Sequence, residues 1–306
     1  MGDTGRHHEV GNHALGSHRL GPHVVGQRVV VRHLLPDGRA TDVVGTCTSW
    51  GDDVVTIESD RGSVEVAVAD IVTGKPVPPR ASVRDRVSAR DAELHGLSVF
   101  PGLETEALGE WILRSDPAPG ERLFKRANSA LAIGRPDRPF PDAVTAVTAF
   151  YAERDRPVLV QVEQESMTEH SLRIAGWRPL ESGDTHFQVA STATVARALP
   201  SPPDAVRTTE SGDLVLAELL DDSGAVIARG RAAIDDDWLA LHALATRPDH
   251  RRRGLGRQVL AELLDWGVVR GARTAWLHVE TDNAPALAFY ESLGFRTHHS
   301  CRYLVP

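Results

Sequence analysis

The sequence predicts a mixed α/β (α+β) fold in which a small N-terminal β-barrel precedes two α/β halves. Short apolar runs separated by tight turns fill residues 22–80, which is typical of a small barrel. An apolar run at residues 238–245 passes through a Gly-rich basic loop into an amphipathic run at residues 258–269, which predicts a strand, a loop and a helix. A strand–helix–strand pattern occurs in residues 85–200 and again in residues 205–306. These three observations together predict the fold class.

The first 80 residues divide into a tail and the predicted barrel. Residues 1–21 are polar and rich in Gly and His, and we expect a disordered extension, with a metal-binding tail as the alternative. Strands are predicted at Gln27–His33, Asp42–Thr48, Val54–Ser59 and Ser63–Ala67. Their pattern resembles Src-homology-3-like (SH3-like) barrels. The Pro-rich residues 76–79 predict a stiff linker. Because no stripe of basic and aromatic residues is evident, a structural or dimerising role is favoured over peptide or nucleic-acid binding.

Residues 85–200 predict the first α/β half. Apolar spacing predicts two helices and two strands, at Glu104–Arg114, Phe140–Glu153, Val158–Glu163 and Phe187–Ala190. A strand end at Glu163 is followed thirteen residues later by Gly176, which begins a Gly-aromatic-Arg triplet. In the second half, fourteen residues separate Glu280 from Gly294, which begins a triplet of the same kind. The two halves are therefore predicted to be a weak internal repeat.

The loop at residues 251–257 has the chemistry of an anion-binding site. Gly254 and Gly256 lack a Cβ atom, so an anion can come close to the backbone. The predicted helix that follows directs its N-terminal N–H groups, and the positive end of its dipole, at the same place. Four arginines, at positions 251, 252, 253 and 257, add positive charge. The combination suits a pyrophosphate group.

Two motifs in residues 205–306 resemble the signatures of the GNAT superfamily of N-acetyltransferases. The first is Arg251-x-x-Gly-x-Gly256, and the second is Asn283-x-x-Ala-x-x-x-Tyr290-x-x-x-Gly-Phe295. They occur in the order and at the spacing of that superfamily. The resemblance implies a catalytic GNAT domain with a mixed central sheet at residues 205–306. Residues 85–200 lack the Gly-rich loop and are interpreted as a degenerate GNAT-like half.

The resemblance also implies a site for acetyl-CoA as cosubstrate. Two central strands would separate, the pantetheine arm would pair with the exposed edge of the first, and the loop backbone would take the pyrophosphate. Tyr290 would be the general acid that protonates the leaving thiolate, with a buried core tyrosine as the alternative. The residues implied to bind acetyl-CoA are Leu244, Ala245, Thr246, Arg251, Arg252, Arg253, Gly254, Leu255, Gly256, Arg257, Asn283 and Tyr290.

The general base and the acceptor pocket are less well defined by the sequence. His278, His242 and Glu280 are the candidate bases, since they lie on the two central strands and a histidine titrates near neutral pH. Each histidine can equally be a satisfied core residue, and a water chain without a single base is a further alternative. The candidate acceptor-binding residues are Arg126, Asn128, Arg229 and Arg231, and Asn128 belongs to a polar quartet that can instead form a turn or cap.

Composition excludes several classes of protein. The chain has 34 Lys and Arg against 42 Asp and Glu, a net charge of −8, so no overall positive field for nucleic acid exists. No apolar run reaches the eighteen or more residues of a membrane span. The two cysteines form neither a disulfide framework nor a metal motif, and we expect no metal. No secretory signal is visible, so a cytoplasmic monomer or homodimer is expected.

The predicted function is acetyl-CoA-dependent N-acetylation of a primary amine on a small molecule. The whole layout also resembles actinobacterial proteins, with a barrel and an acetyltransferase, described as N-acetylglutamate synthases of arginine biosynthesis. The alternatives are a mycothiol synthase-like enzyme, a protein N-acetyltransferase and a non-catalytic acyl-CoA sensor. A glutamate acceptor would require cations for its carboxylates, and the arginines are the candidates.

Overall fold

The computed structural model describes residues 20–59, 61–77, 83–119 and 123–306. Most of the predicted N-terminal extension and part of the predicted linker therefore lie outside the described residues. The strands are β1 Arg28–Leu34, β2 Ala40–Trp50, β3 Val54–Ser59, β4 Gly62–Ala67, β5 Ile71–Pro76, β6 Glu104–Leu108, β7 Trp111–Ser115, β8 Ala130–Leu131, β9 Val160–Glu163, β10 Arg178–Pro179, β11 Thr185–Ser191, β12 Val206–Ser211, β13 Leu214–Leu220, β14 Val226–Asp235, β15 Trp238–Thr246, β16 Thr274–Glu280 and β17 Arg296–Val305. The helices are α1 Ala89–Leu94, α2 Phe140–Ala152, α3 Met167–Ile174, α4 Thr192–Ala198, α5 Leu255–Val269 and α6 Ala284–Glu291.

The chain divides into two compact units, residues 1–82 and residues 83–306. The first unit is a five-stranded antiparallel sheet in the order β4-β3-β2-β1-β5 around an apolar core. The four predicted strands are confirmed. The fifth strand, β5, was not predicted, because Gly74 and Pro76 read as turn and linker residues. A Cβ on Gly74 would lie 2.9 Å from the backbone carbonyl oxygen of Val30 on β1, so the strand needs glycine where it packs closely against its neighbour.

The second unit is built on one large mixed sheet. Its strand order is β12-β13-β14-β15-β16-β11-β17-β9-β8-β7-β6, with β10 attached to β17. The last strand of the first half, β11, pairs with β16 of the second half, and β17 in return pairs with β9 of the first half. The strands β11 and β17 pair with each other between them. The predicted repeat is confirmed, and the two halves exchange their last strands.

One predicted helix is wrong. Residues 104–114 form the β6–β7 hairpin instead, and Gly109 in its turn has a φ of 66°. Leu108, Trp111 and Ile112 have the spacing of a helix face, which explains the error. A Cβ at Gly109 would lie 2.4 Å from the backbone nitrogen of Asp137, so the hairpin turn requires glycine at this place.

Helix α5 is held against the second half of the sheet by its apolar face. Val259, Leu260, Leu263 and Leu264 are all at most 2% exposed and belong to the cluster that includes residues of β13, β14 and β15. Burying each such side chain contributes about 1.5–3 kcal/mol, so the helix is firmly fixed on the sheet. The N-terminus of α5 is thereby placed beside the end of β15.

Among the described residues, no helix combines the length and the apolar character that a membrane span requires.

Candidate active site

The two central strands of the second half separate from each other. The parallel pairing of β15 with β16 covers only Trp238–Ala240 and Thr274–Trp276. Further along, the register of β14 with β15 shifts, and Ala243 has a φ of 53°, the signature of a bulge that bends β15. Residues 241–246 of β15 therefore have one edge that pairs with no described strand. An extended chain of amide groups can add to such an edge as a further strand would.

The N-terminus of α5 lies at the end of this open edge. Gly254 is its N-cap with a φ of 78°, and no side chain in the described part of the chain caps the helix. The first N–H groups are therefore available to an anion. A Cβ on Gly256 would meet only Thr246 Oγ1, at 3.7 Å, so the space in front of this glycine is open. The open edge and the uncapped helix end form one continuous candidate site for a chain of amides that ends in a phosphate.

The arginines of the loop differ in their surroundings. Arg252 and Arg253 are exposed, and neither forms an ion pair with a residue that the structure describes. The Nε of Arg251 donates to the carbonyl of Thr246 at 3.3 Å. Arg257 donates to the carbonyl of Ala198 and to Ser292 Oγ, both at 2.9 Å. This guanidinium therefore connects α5 to α4 and to the residue after α6, and its contribution of charge to the anion site stays a prediction.

Two polar residues of the second motif lie at helix α6, Tyr290 within the helix and Asn283 as its N-cap. The Tyr290 ring packs edge-on against Phe295, with ring centroids 5.7 Å apart, and burial raises the pKa of its phenol to about 12. Its hydroxyl forms no hydrogen bond with a described residue. The Oδ1 of Asn283 accepts from the backbone N–H of Ala286 at 3.2 Å and caps the helix. The Nδ2 group of Asn283 remains available to donate to a ligand.

The structure places His242 and His278 on the separating strands, on the sheet face that α1 covers. His242 Nε2 is fully buried and has no partner among the described residues. Burial, aided by the nearby charges of Arg231 and Arg126, lowers the pKa of His242 to about 4. Burial likewise lowers the pKa of His278 to about 4. Both imidazoles are therefore neutral near pH 7 and can accept a proton. Glu280, at the end of β16, is exposed.

The candidate acceptor residues come together only in part. The charge of Arg126, in the first half, lowers the pKa of both His242 and His278, so it lies near both. Arg231 faces His242 across β14 and β15. Arg229 is exposed two residues earlier on the same strand. None of these arginines forms an ion pair with a residue that the structure describes. Arg126 and Arg231 thus form a positive region beside His242.

Asn128 has a different role. Its side chain is 2% exposed, its Oδ1 accepts from the backbone N–H of Asp116 and its Nδ2 donates to the carbonyl of Phe124. Since both polar atoms are engaged within the protein, the structure favours the alternative of a turn cap for this residue.

One buried acid beside His278 was not predicted. Glu93 of α1 is 1% exposed, and its Oε1 lies 2.8 Å from His278 Nε2. His299 and Cys301 of β17 approach the same oxygen. Glu93, His299 and Cys301 are also a donor set that could hold a metal ion, because their ligand atoms lie within 4.8 Å of one another. The only signal in the sequence is that His299 and Cys301 alternate along one strand.

Family comparisons agree with this architecture. The family model for the C-terminal part of the probable histone acetyltransferase Rv0428c matches residues 88–304. A model for the N-terminal Sm-like domain of Rv0428c matches residues 23–75. The small β domain is thus matched as Sm-like, and its resemblance to SH3-like barrels is not confirmed.

Individual proteins show the same similarity. Rv0428c of Mycobacterium tuberculosis is 29% identical over 292 residues, which cover 90% of this chain and 93% of that protein. The ribosomal protein bS18-alanine N-acetyltransferase of Salmonella typhimurium is 45% identical over 75 residues, 24% of this chain and 49% of that enzyme. The solved structure of a GCN5-related N-acetyltransferase from Kribbella flavida aligns over 71% of this chain and 94% of that one, with a TM-score of 0.53 and 19% identity. This last likeness concerns the fold.

Proposed function

The chain belongs to the family of Rv0428c and is an enzyme of the GNAT type that transfers acetyl groups, and from this premise we propose its donor and its acceptor. The donor is acetyl-CoA, and the acceptor is a primary amine on a small molecule that carries a carboxylate, such as the α-amine of glutamate. The observation that carries the proposal is the open edge of β15 leading to the uncapped N-terminus of α5. Pantetheine amides fit the edge, and the pyrophosphate fits the helix end.

The proposed reaction uses three groups of this chain. A neutral imidazole, His278 or His242, takes the proton that the ammonium must lose. The amine nitrogen then attacks the thioester carbonyl, and a backbone N–H near Leu244 stabilises the oxyanion. When the oxyanion collapses, the carbon–sulfur bond breaks and Tyr290 gives its proton to the departing thiolate, while the attacking nitrogen loses its second proton and thereby restores the phenol. Because its pKa is raised to about 12, the phenol is protonated at the start of each turnover.

The positive region selects among acceptors. Arg126, Arg229 and Arg231 have no acidic partner among the described residues, so a carboxylate of the acceptor can pair with them. The same charges repel a lysine-rich peptide, which disfavours a histone tail even though Rv0428c is named a probable histone acetyltransferase. A protein N-terminus or an amino sugar conjugate would lack a carboxylate next to the amine.

The test is the release of CoA from acetyl-CoA with glutamate, aspartate, lysine, an amino sugar and a lysine-rich peptide as acceptors. We expect turnover with the acidic amino acids and an increase of roughly tenfold or more in their KM when Arg231→Gln removes one charged hydrogen bond. Arg173→Gln on α3, which also removes an exposed arginine, is the matched control. Preference for the peptide would refute the acceptor class. Tight acetyl-CoA binding without turnover on any amine would favour a sensor.

A further inference from the structure

A buried carboxylate outside both sequence motifs lies directly behind a candidate base. The Oε1 atom of Glu93 is surrounded by three donors, His278 Nε2 at 2.8 Å, His299 Nε2 at 3.2 Å and Cys301 Sγ at 3.4 Å. Burial alone would raise the pKa of the Glu93 carboxyl, but the hydrogen bonds with His278 and His299 favour the charged form, and the pKa lies well below its usual value. The carboxylate is therefore ionised and can only accept.

This contact decides which nitrogen of His278 carries the proton. A neutral imidazole has one N–H, and an ionised carboxylate requires it at Nε2. The lone pair of His278 is then at Nδ1. That atom forms no hydrogen bond with a described residue, and the side chain as a whole is only 2% exposed. Of the two ring nitrogens, the one opposite Glu93 is therefore the one left for a bound substrate.

A second imidazole contacts Glu93 from β17. His299 Nε2 lies 3.2 Å from Glu93 Oε1. His298 Nδ1 lies 2.8 Å from His299 Nδ1, and the carbonyl of Val87 accepts from His298 Nε2. These contacts hold the carboxylate in place behind His278.

We propose that Glu93 is a positioning residue for acetyl transfer, which fixes His278 with Nδ1 free to take the proton of the acceptor amine. This inference rests on the proposed function. When Nδ1 takes that proton, the Nε2–H bond to Glu93 becomes an ion pair, so the carboxylate stabilises the imidazolium that forms. An acid and an imidazole divide these tasks in the same way in catalytic triads. Glu93 lies on α1, more than 100 residues upstream of the acetyltransferase motifs.

The first test does not depend on turnover. Nitrogen NMR shifts of histidines labelled with ¹⁵N, measured near pH 7 on the full chain, distinguish the two tautomers, and His278→Asn assigns the signal. We expect His278 to be neutral with its proton on Nε2. A proton on Nδ1 would overturn the proposal whatever the activity. A shift typical of a metal-bound nitrogen, with stoichiometric zinc in the purified protein that Cys301→Ser removes, would also overturn it, because the cluster would then be a metal site.

The second test is a double-mutant cycle on acetyl transfer. Glu93→Gln keeps the shape of the side chain and removes its charge, and we expect kcat to fall roughly 10²-fold, the lower end of a general-base contribution, with an unchanged KM for acetyl-CoA. In a His278→Asn background the same change should have almost no further effect on kcat. Additive losses would refute a role through His278. Asp91→Asn, an exposed carboxylate on the same helix, is the matched control.

The two tests separate the possible failures. The expected tautomer together with a coupled loss of kcat supports the positioning role. The expected tautomer in a wild-type protein that turns over no amine would refute the proposed function and, with it, the catalytic role of Glu93, while the hydrogen bond itself would stand.

Discussion

Gly256 offers a way to separate ligand binding from stability. It lies in the first turn of α5, its φ is not in the left-handed region, and a Cβ there would meet only Thr246 Oγ1, at an ordinary contact distance of 3.7 Å. The folded protein therefore has no need of glycine at this position. Replacing Gly by Leu within a helix favours the helix by up to about 1 kcal/mol. The reason for glycine must lie in what approaches the backbone.

We expect Gly256→Leu to weaken acetyl-CoA binding without loss of stability. The new side chain would fill the space in front of the helix N-terminus and displace the phosphate from at least one N–H. A hydrogen bond to a charged group contributes about 1.5–3 kcal/mol, so the Kd should rise roughly 10- to 150-fold. The Tm should stay the same or rise by a few degrees, about 2–4 °C per kcal/mol for a unit of this size.

Isothermal titration calorimetry with CoA and thermal unfolding without it measure the two quantities. Asp265→Leu introduces the same side chain at an exposed position on the same helix and is the matched control. An unchanged Kd for Gly256→Leu would refute the assignment of the helix N-terminus as the pyrophosphate site. A large loss of Tm would refute the conclusion that this glycine is retained for its ligand.

Three further results are expected. Tyr290→Phe should lower kcat roughly 10²–10⁴-fold with little change in the Kd of acetyl-CoA, and unchanged turnover would exclude the phenol as the acid. Gly254→Ala should cost about 1–2 kcal/mol of stability, measured by chemical denaturation, because its φ of 78° disfavours a side chain; an equal stability would show that the loop relaxes. The pKa of His242 is lowered to about 4, so the unfolded chain binds the proton more readily and stability should fall as the pH drops from about 6.5 towards 4. His242→Gln should flatten this dependence of Tm on pH, and an unchanged slope would assign it to other groups.

The parts of the fold that depend on local sequence could be predicted. Strands β1 to β4, helix α2 and the β15–loop–α5 unit follow from periodicity and turn residues, which act over a few neighbours. The hairpin at residues 104–114 was missed because its apolar residues have the spacing of a helix face. Gly109, which forms the turn, is a single break in that spacing. The exchange of β11 and β17 could not be predicted, since which strand pairs with which is decided by contacts between residues more than 80 positions apart.

The candidate site likewise has one part that local sequence predicts and one part that depends on long-range contacts. The proposed donor site is one contiguous segment with a motif, so residues 244–257 could be predicted as a unit from the sequence. The acceptor side depends on tertiary packing. Arg126 of the first half reaches the histidines of the second, and Glu93 lies in a six-residue helix with no distinguishing pattern of its own. Arg257 and Asn128 are the opposite case. Each has the residue type that its predicted site requires, but its polar groups form hydrogen bonds within the protein.

The strand exchange explains why the chain keeps a half without a Gly-rich loop. Because β11 of the first half pairs with β16 along its whole length, it supports the strand that carries His278 after β15 has turned away. In return, β17 brings His299 next to Glu93 and continues into the pairing with β9. Removing the first half would thus expose one edge of β16 and take away both Arg126 and Glu93. The first half has no Arg-x-x-Gly-x-Gly loop, but it completes the sheet and contributes Arg126 and Glu93 to the proposed acceptor face, so we expect the two halves to function as one catalytic unit.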